Sequence, residues 1–261
     1  MKQLLNRIRP PNWNLGNIVY KIILAPIVRW LNRRRILHRW KVLPARIVIC
    51  GCQRSGTTLM NEMMRSYKDV SVLAHEEPAL RCPYLMLTSK YVVTKYPEDC
   101  LKLSEIKATF GDPYIIFLLR DPRDVIVSRH YKNPNRYWVD FKKWKEAVEH
   151  YEQFDSSRKV VVRYEELVDN PNMVQELVAN IVGLRIRYPF SEFYQHVKSK
   201  HPDIKALGGV RPVDSSNKFK YLNLENYARI KEQLIAHPDM SEWLIRYGYQ
   251  ESEVWEQQFQ D

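Results

Sequence analysis

Two glycines bound a polar loop that directly follows an apolar run of strand character. Residues 47–59 read IVICGCQRSGTTL, and a helix-like stretch follows. Glycine permits the tight turns that let successive backbone N–H groups point at an anion. The pattern Gly-x-x-x-x-Gly-Thr-Thr nearly matches the P-loop of nucleoside triphosphate enzymes, but Thr57 stands where those have a lysine. With Arg54 supplying charge earlier in the loop, the sequence predicts a phosphate cradle without the lysine.

Two further segments place charged or aromatic residues at the ends of strand-like runs. Arg120 follows a continuous apolar run and opens the sequence RDPRDVIVS, which ends at Ser128. Tyr164 follows another short run, within RYEEL. Ligands of open α/β sheets bind at the carboxyl ends of strands, so Arg120 and Ser128 could meet one phosphate group there. Taken alone, an Arg-Asp-x-Arg helix start is more often an internal ion pair.

From residue 45 onward, strand-like and helix-like stretches alternate, which is typical of a parallel sheet with helices on both faces. We predict an α/β fold of three layers, α/β/α, with a central parallel sheet of the P-loop nucleotide-binding type. The predicted strands are 46–51, 70–73, 91–95, 114–119 and 159–162. The predicted helices are 57–67, 101–110, 122 to about 131, 138–151, 173–182, 224–236 and 241–247. Residues 205–223 are predicted to form a long loop, and such loops tend to be functional lids.

The composition is that of a folded globular protein with a basic surface. The 261 residues are 45% hydrophobic and carry a formal net charge of +11, which favours acidic partners such as nucleotides, anionic glycans, anionic lipid or nucleic acid. Charge alone does not separate these partners. The four cysteines have no zinc-site spacing, so we predict buried packing residues and a reducing compartment. They are Cys50, Cys52, Cys82 and Cys100.

The chain divides into a basic N-terminal extension, residues 1–44, and a single α/β domain, residues 45–261. The apolar stretch 17–31 is too short and too charged to span a membrane, and no secretory signal is evident. We favour a helix packed on the domain over a basic amphipathic helix on a membrane surface, and both interpretations stay open. The expected location is cytoplasmic, with peripheral membrane contact as the alternative.

Together the three motifs resemble those of the sulfotransferases that use 3′-phosphoadenosine-5′-phosphosulfate (PAPS). This resemblance implies that the glycine-bounded loop holds the 5′-phosphosulfate, that Arg120 and Ser128 hold the 3′-phosphate, and that Tyr164 lines the adenosine site. The loop residues concerned are Arg54, Ser55, Gly56, Thr57 and Thr58. No metal is expected, and the spent cofactor is 3′-phosphoadenosine-5′-phosphate (PAP).

The motifs are most similar to those of the tyrosylprotein sulfotransferase branch. There the loop continues Thr-Thr-Leu-Met, as residues 57–60 do here, and a Glu-Glu pair follows an Asp-Val, as at residues 69–70 and 76–77. Without a gap the branch's cofactor-binding serine falls on Asp214, so Ser215 and Ser216 are both candidates, and we take Ser216. The other cofactor contacts that this likeness implies are Lys132, Lys220 and Arg229.

The resemblance implies in-line transfer of a sulfuryl group to an acceptor hydroxyl, which requires a base for the acceptor's proton and stabilisation of the leaving phosphate. Glu77, which precedes a proline, is the predicted base; Glu76 is the close rival and His75 a more distant one. Lys95 is predicted to stabilise the bridging oxygen, although a solvated lysine at a strand end fits the local pattern equally well. Arg54 is predicted to neutralise the phosphosulfate.

The acceptor stays open at this stage: a saccharide, a small molecule or a protein tyrosine, with no nucleic acid as partner and no prediction of oligomeric state. Arg81, Tyr84, Tyr137 and Trp138 are candidates for an acceptor cleft. One alternative is a P-loop kinase or NTPase-like phosphoryl transferase, which Thr57 and the lack of a second acidic strand for Mg²⁺ argue against. Another is a non-catalytic protein that binds anionic ligands, which leaves three nucleotide-site motifs unexplained.

Overall fold

A computed structural model of the chain describes residues 27, 30, 44–73, 76–81, 89–130, 133–196, 207, 209 and 211–259. Nearly all of the predicted N-terminal extension lies outside these residues. So do four of the residues singled out above, His75, Cys82, Tyr84 and Lys132.

The strands are β1 (Ala45–Gly51), β2 (Val70–Val72), β3 (Tyr91–Lys95), β4 (Tyr114–Leu119), β5 (Arg129–His130), β6 (Asn133–Tyr137) and β7 (Lys159–Arg163). Five of them form a parallel sheet in the order β2-β3-β1-β4-β7. Since these strands run in one direction, the segments that follow β1, β3, β4 and β7 meet at one edge of the sheet. All five strands predicted from the sequence are confirmed to within one residue at either end.

The helices are α1 (Thr57–Met63), α2 (Leu103–Phe110), α3 (Pro122–Ile126), α4 (Phe141–Gln153), α5 (Tyr164–Asp169), α6 (Pro171–Val182), α7 (Phe193–His196), α8 (Tyr227–Ala236) and α9 (Met240–Arg246). Short 3₁₀ helices extend several of them, including Met64–Ser66 after α1, Pro97–Lys102 before α2 and Leu224–Asn226 before α8. The start of α4 is set by Asp140, whose Oδ1 accepts a hydrogen bond from the Lys143 backbone N–H at 3.0 Å.

Each face of the sheet carries its own apolar core, because side chains alternate along a strand and helices cover both faces. Val48 and Cys50 belong to one core, which includes Trp144 of α4, whereas Ile47 belongs to the other, which includes Met60 of α1. The predicted three-layer α/β/α fold is therefore confirmed. Cys50, Cys52 and Cys100 are buried and free, in agreement with the prediction that they are packing residues.

The helix predicted to run from residue 122 to about residue 131 is wrong in its length. It ends at Ile126, and the chain turns into an antiparallel hairpin of β5 and β6. The Ser128 Oγ donates a hydrogen bond to the Asp124 carbonyl oxygen at 2.9 Å, and the Ser128 N–H bonds to the carbonyl of Val125 at 3.1 Å. Side-chain bonds of this kind compete with helix continuation. Ser128 consequently lies beyond the end of α3, and not within it.

Candidate functional site

The loop between β1 and α1 turns sharply at two residues with positive φ. Arg54 has φ 72° and Gly56 has φ 95°. The Ser55 N–H bonds back to the Cys52 carbonyl oxygen at 3.2 Å, and the Gly56 carbonyl oxygen accepts from Met60 in the first turn of α1 at 3.1 Å. A left-handed conformation at a non-glycine residue is strained, and such strain clusters at ligand-binding sites.

Gly56 is required by the close approach of an aromatic ring. A Cβ atom at this position would lie 2.5 Å from the Cδ2 atom of Tyr164, the first residue of α5 after β7. The motif's second glycine therefore lets Tyr164 lie directly against the loop. This contact joins two segments that the sequence places more than a hundred residues apart.

Replacing Gly56 by Ala should lower the free energy of unfolding by more than left-handed backbone strain alone. We expect about 1 kcal/mol for the strain and a further 1–3 kcal/mol for the collision with Tyr164. Gly183→Ala is the matched control, because Gly183 is also left-handed, with φ 78°, and its Cβ would make an ordinary 3.7 Å contact. Urea unfolding of both variants tests this; equal losses would contradict the ring contact.

Arg120, at the end of β4, contacts the loop, Tyr164 and a distant segment at once. Its Nη1 donates to the Arg54 carbonyl oxygen at 2.9 Å, and its Nη2 donates to the Asn217 carbonyl oxygen. The guanidinium carbon lies 4.3 Å from the centroid of the Tyr164 ring. Arg120 is nearly buried, with 6% of its surface exposed. Its charge is therefore fixed in position at the carboxyl edge of the sheet.

Asp124 of α3 holds residues 211–223, here called the C-terminal segment, against this edge through two of its backbone groups. Its Oδ2 accepts from the Phe219 N–H at 2.9 Å, and its Oδ1 accepts from the Tyr221 N–H at 3.2 Å. The same carboxylate lies 3.6 Å from the Arg120 Nη2. Burial raises the pKa of Asp124, and Arg120 partly opposes this rise. These bonds place Lys220, between the two bonded residues, beside the loop.

A cavity of about 600 Å³ opens between these elements. Its lining includes most of the residues that the sequence assigned to the cofactor: Arg54, Gly56, Thr57, Thr58, Arg120, Ser128, Tyr164 and Lys220. Residues of the C-terminal segment complete it, among them Arg211, Asp214 and Asn217. Neither Arg211 nor Asn217 has a local sequence signal; Arg211 bonds to Asp214, and the Asn217 carbonyl oxygen accepts from Arg120.

The cavity has the electrostatics of an anion-binding site. Burial, and then the neighbouring charge of Arg120, lowers the pKa of Arg54. Burial and the charges of Arg120, Arg54 and Arg211 likewise lower the pKa of Lys220, although Asp124 opposes this. Cations that repel one another in a partly dehydrated site are stabilised by a bound anion.

Three buried polar atoms at the loop and at Arg120 have no hydrogen-bond partner among the described residues. They are the Nε atoms of Arg54 and Arg120 and the Oγ atom of Ser55. Buried donors are nearly always satisfied in folded proteins. Orphaned donors beside a basic cavity therefore fit the binding of a phosphorylated or sulfated group.

Two of the predicted catalytic residues, Glu77 and Lys95, lie on the adjoining part of the same edge, outside the lining of this cavity, whereas the third, Arg54, is part of that lining. Lys95 ends β3, and its Nζ lies 3.0 Å from the Glu76 Oε1. The Glu77 N–H donates to the Lys95 carbonyl oxygen at 3.2 Å. The loop following β1 reaches this region through Gln53, whose Nε2 donates to the Glu98 Oε1 at 2.8 Å. The predicted phosphate-binding loop, residues 52–56, and the acidic loop, residues 76–78, are therefore both bonded to the region at the end of β3.

Two other predicted cofactor contacts are engaged within the protein. The Ser216 Oγ donates to the Asp214 Oδ1, and it is Asp214 that lines the cavity. Arg229 is buried; its Nη2 donates to the Val139 carbonyl oxygen at 3.1 Å and its Nη1 to the Glu232 Oε1 at 2.8 Å. Neither Ser216 nor Arg229 is among the cavity-lining residues.

Comparison with known proteins agrees with the motifs. Residues 85–187 match the model of the sulfotransferase family, a segment that contains Arg120, Ser128 and Tyr164 but not the phosphate-binding loop. The family resemblance predicted from the sequence is confirmed at this level, and sulfuryl transfer is the class of reaction that it supports. The tyrosylprotein branch stays a prediction. Among curated proteins, none matches this chain.

One solved sulfotransferase domain shares the fold of this chain, and a second was also found by comparison. The domain from the Synechococcus PCC 7002 olefin synthase is 16% identical, with a TM-score of 0.51 over 69% of this chain and 88% of that one. The domain from the curacin biosynthetic pathway is 17% identical, with a TM-score of 0.49 over 74% of this chain and 98% of that one. At such identities the likeness to the first concerns the fold alone.

Within the described part of the chain, none of the helices is long and apolar enough to cross a membrane.

Proposed function

We propose that this protein is a sulfotransferase that uses PAPS and transfers its sulfuryl group to an acceptor hydroxyl. The observation that carries the proposal is the convergence of Arg54, Arg120 and Lys220 on one cavity whose loop lacks the P-loop lysine. A triphosphate with Mg²⁺ requires that lysine and a metal-binding hydroxyl. A cradle of arginines and hydroxyls suits a phosphosulfate and a separate 3′-phosphate better.

In this proposal the cavity residues bind and orient the cofactor. Arg120 and Ser128 hold the 3′-phosphate, because both line the cavity beyond the end of β4. The hydroxyls of Thr57 and Thr58, together with Arg54, hold the 5′ end. Lys220 adds a cation from the C-terminal segment, and Tyr164 offers a ring face for the nucleoside. When bound, PAPS supplies an activated sulfuryl group and a stable phosphate leaving group.

The acidic loop supplies the proton chemistry. Glu77 is the proposed general base for the acceptor hydroxyl, and Glu76 is the alternative. The Lys95 ammonium, 4% exposed and beside Glu76, is placed to stabilise negative charge on the oxygen that leaves. The acceptor class remains a hydroxyl-bearing molecule, whether saccharide, small molecule or protein tyrosine, and a glycan fits the basic surface.

Thermal unfolding with PAP tests this assignment. At one hundred times its dissociation constant, a ligand adds about 2.7 kcal/mol of stability, which raises the melting temperature of a domain of this size by about 5 to 10 °C. We expect this rise with PAP in the presence of EDTA, and a much smaller one with ATP and Mg²⁺. Stabilisation by ATP with Mg²⁺ but not by PAP would contradict the proposal and favour phosphoryl transfer.

A further inference from the structure

Asp99 is a buried carboxylate on the 3₁₀ helix Pro97–Lys102, directly after β3. Only 1% of its surface is exposed. Its Oδ2 accepts a hydrogen bond from the Ala79 N–H at 2.9 Å, and its own N–H donates to the Tyr96 carbonyl oxygen at 3.0 Å. Ala79 lies two residues beyond Glu77, so Asp99 grips the carboxyl end of the acidic loop.

A second buried ionisable side chain, Arg46, bonds the same residue, Ala79, at its carbonyl group. The Arg46 Nη1 donates to the Ala79 carbonyl oxygen at 3.0 Å, and the Arg46 guanidinium lies 3.3 Å from the centroid of the Phe110 ring. Arg46 is 3% exposed. Ala79 is thus bonded at both backbone groups by buried ionisable side chains, Asp99 and Arg46. We call these two bonds the clamp. Arg46 belongs to β1, the strand that leads to the phosphate-binding loop.

The acidic loop is fixed at its other end by β3. The Glu77 N–H donates to the Lys95 carbonyl oxygen, and the Lys95 ammonium meets Glu76. The acidic loop is therefore fixed by Lys95 at residues 76 and 77 and by Asp99 and Arg46 at residue 79. Burying an aspartate and an arginine costs free energy, which a packing role would not require.

We propose that Asp99 is a positioning residue for the reaction: through the Ala79 N–H it holds the acidic loop so that Glu76 and Glu77 face Lys95. This inference rests on the proposed function, since it assigns the proton acceptor to that loop. Asp99 touches neither the cavity nor Lys95 in this role. Its effect is on the rate of the transfer step and not on nucleotide affinity.

Charged groups surround Asp99 on several sides. Burial raises its pKa to about 7; the Ala79 N–H and Lys102 lower it, whereas Glu76 and Glu98 raise it further. Burial raises the pKa of the neighbouring Cys50, Cys100 and Tyr96, and the charge of Asp99 raises each of them further. The folded-state pKa lies above the ordinary value of about 3.9, so the folded state binds more protons between these two values. Stability therefore falls as the pH rises from about 4 to about 7.

Hydrogen exchange of the segment 76–81 tests the clamp directly. In Asp99→Ala the Ala79 amide should exchange about tenfold faster, because it loses its acceptor. In Asp99→Asn the side-chain carbonyl can still accept, so protection should be largely restored. Asp112→Asn, which alters a partly exposed carboxylate bonded to Ser156 at 2.9 Å, is the control and should leave this segment unchanged. Unaltered exchange in Asp99→Ala would overturn the proposal.

Turnover distinguishes positioning from a merely structural role. With PAPS and 2-naphthol as the probe acceptor, Asp99→Ala should lower kcat about five- to tenfold, the equivalent of one hydrogen bond, and leave KM for PAPS unchanged. Asp99→Asn should recover most of kcat. A change in KM alone would overturn the positioning role. A wild-type protein that neither binds PAP nor transfers the sulfuryl group would instead refute the proposed function, whereas the exchange result would still decide the clamp.

The pH dependence of the melting temperature gives an independent measurement. From pH 5 to pH 8 the wild-type protein should lose stability relative to Asp99→Asn, whose side chain does not ionise. The stability of the variant relative to the wild-type protein should therefore be greater at pH 8 than at pH 5. A constant difference between the two proteins over this range would contradict the raised pKa of Asp99, whereas hydrogen exchange decides the clamp itself.

Discussion

Arg120→Ala should abolish most of the stabilisation that PAP confers. Arg120 is the cation fixed at the cavity by the backbone of both the phosphate-binding loop and the C-terminal segment, and its Nε has no partner among the described residues. Loss of charge-assisted hydrogen bonds to a phosphate should cost about 3 kcal/mol, or roughly a hundredfold in Kd. Calorimetric titration with PAP measures the loss.

Two control variants are needed, because Arg120 also lies beside the buried Asp124 carboxylate and its removal could disturb the fold. Arg120→Lys keeps the charge but not the planar fork, so we expect an intact fold and a smaller loss of about tenfold. Arg158→Ala removes an exposed arginine that pairs with Asp112 at 3.5 Å, outside the cavity lining, and should bind PAP normally. A folded Arg120→Ala protein with wild-type affinity would show that the 3′-phosphate assignment is wrong.

The sheet could be predicted from sequence because its strands are buried runs with local punctuation. The run Tyr114–Leu119 is apolar throughout and is followed by a charged residue. This pattern is typical of a strand that is covered on both faces of a sheet. The glycine-bounded loop could likewise be predicted from its local sequence pattern. The hairpin after α3 was missed, because Asp121 and Pro122 give a strong helix start whereas the stop depends on side-chain bonds of Ser128.

The other half of the cavity could not be predicted in detail, because it is built by contacts between distant segments. Asp124 contacts Phe219 and Tyr221, and Arg120 contacts Asn217, across almost a hundred residues of chain. Neither local propensity nor hydrophobic period encodes such pairs. Motif resemblance selected Lys220, which lines the cavity, and also Ser216 and Arg229, whose donors bond within the protein.

Cations from elsewhere in the chain take the place of the absent P-loop lysine. Thr57 occupies its position, and positive charge reaches the cavity from three other places: Arg54 within the loop, Arg120 after β4 and Lys220 from the C-terminal segment. Arg120 and Asp124 bond the C-terminal segment through its backbone. The position of Lys220 therefore depends on the whole fold and not on one local motif. Binding at the loop should therefore be coupled to order in the segment 211–223.

Glu77→Gln should lower kcat far more than any nucleotide-site variant lowers it at saturating PAPS. General bases contribute about a hundred- to ten-thousandfold, and glutamine keeps the shape of the side chain while it cannot accept a proton. Glu76, whose carboxylate contacts the Lys95 ammonium at 3.0 Å, is the alternative base. Glu77 is partly buried and is held through its backbone by Lys95.

The matched pair Glu76→Gln and Glu77→Gln separates the two carboxylates, since both replacements remove one charge from the same loop. Single-turnover transfer from PAPS should fall at least a hundredfold in Glu77→Gln and only a fewfold in Glu76→Gln, with PAP affinity unchanged in both. The reverse order would move the base to Glu76. Wild-type transfer in both variants would remove the acidic loop from the proton transfer, because no carboxylate of the pair would then be needed to accept the acceptor's proton.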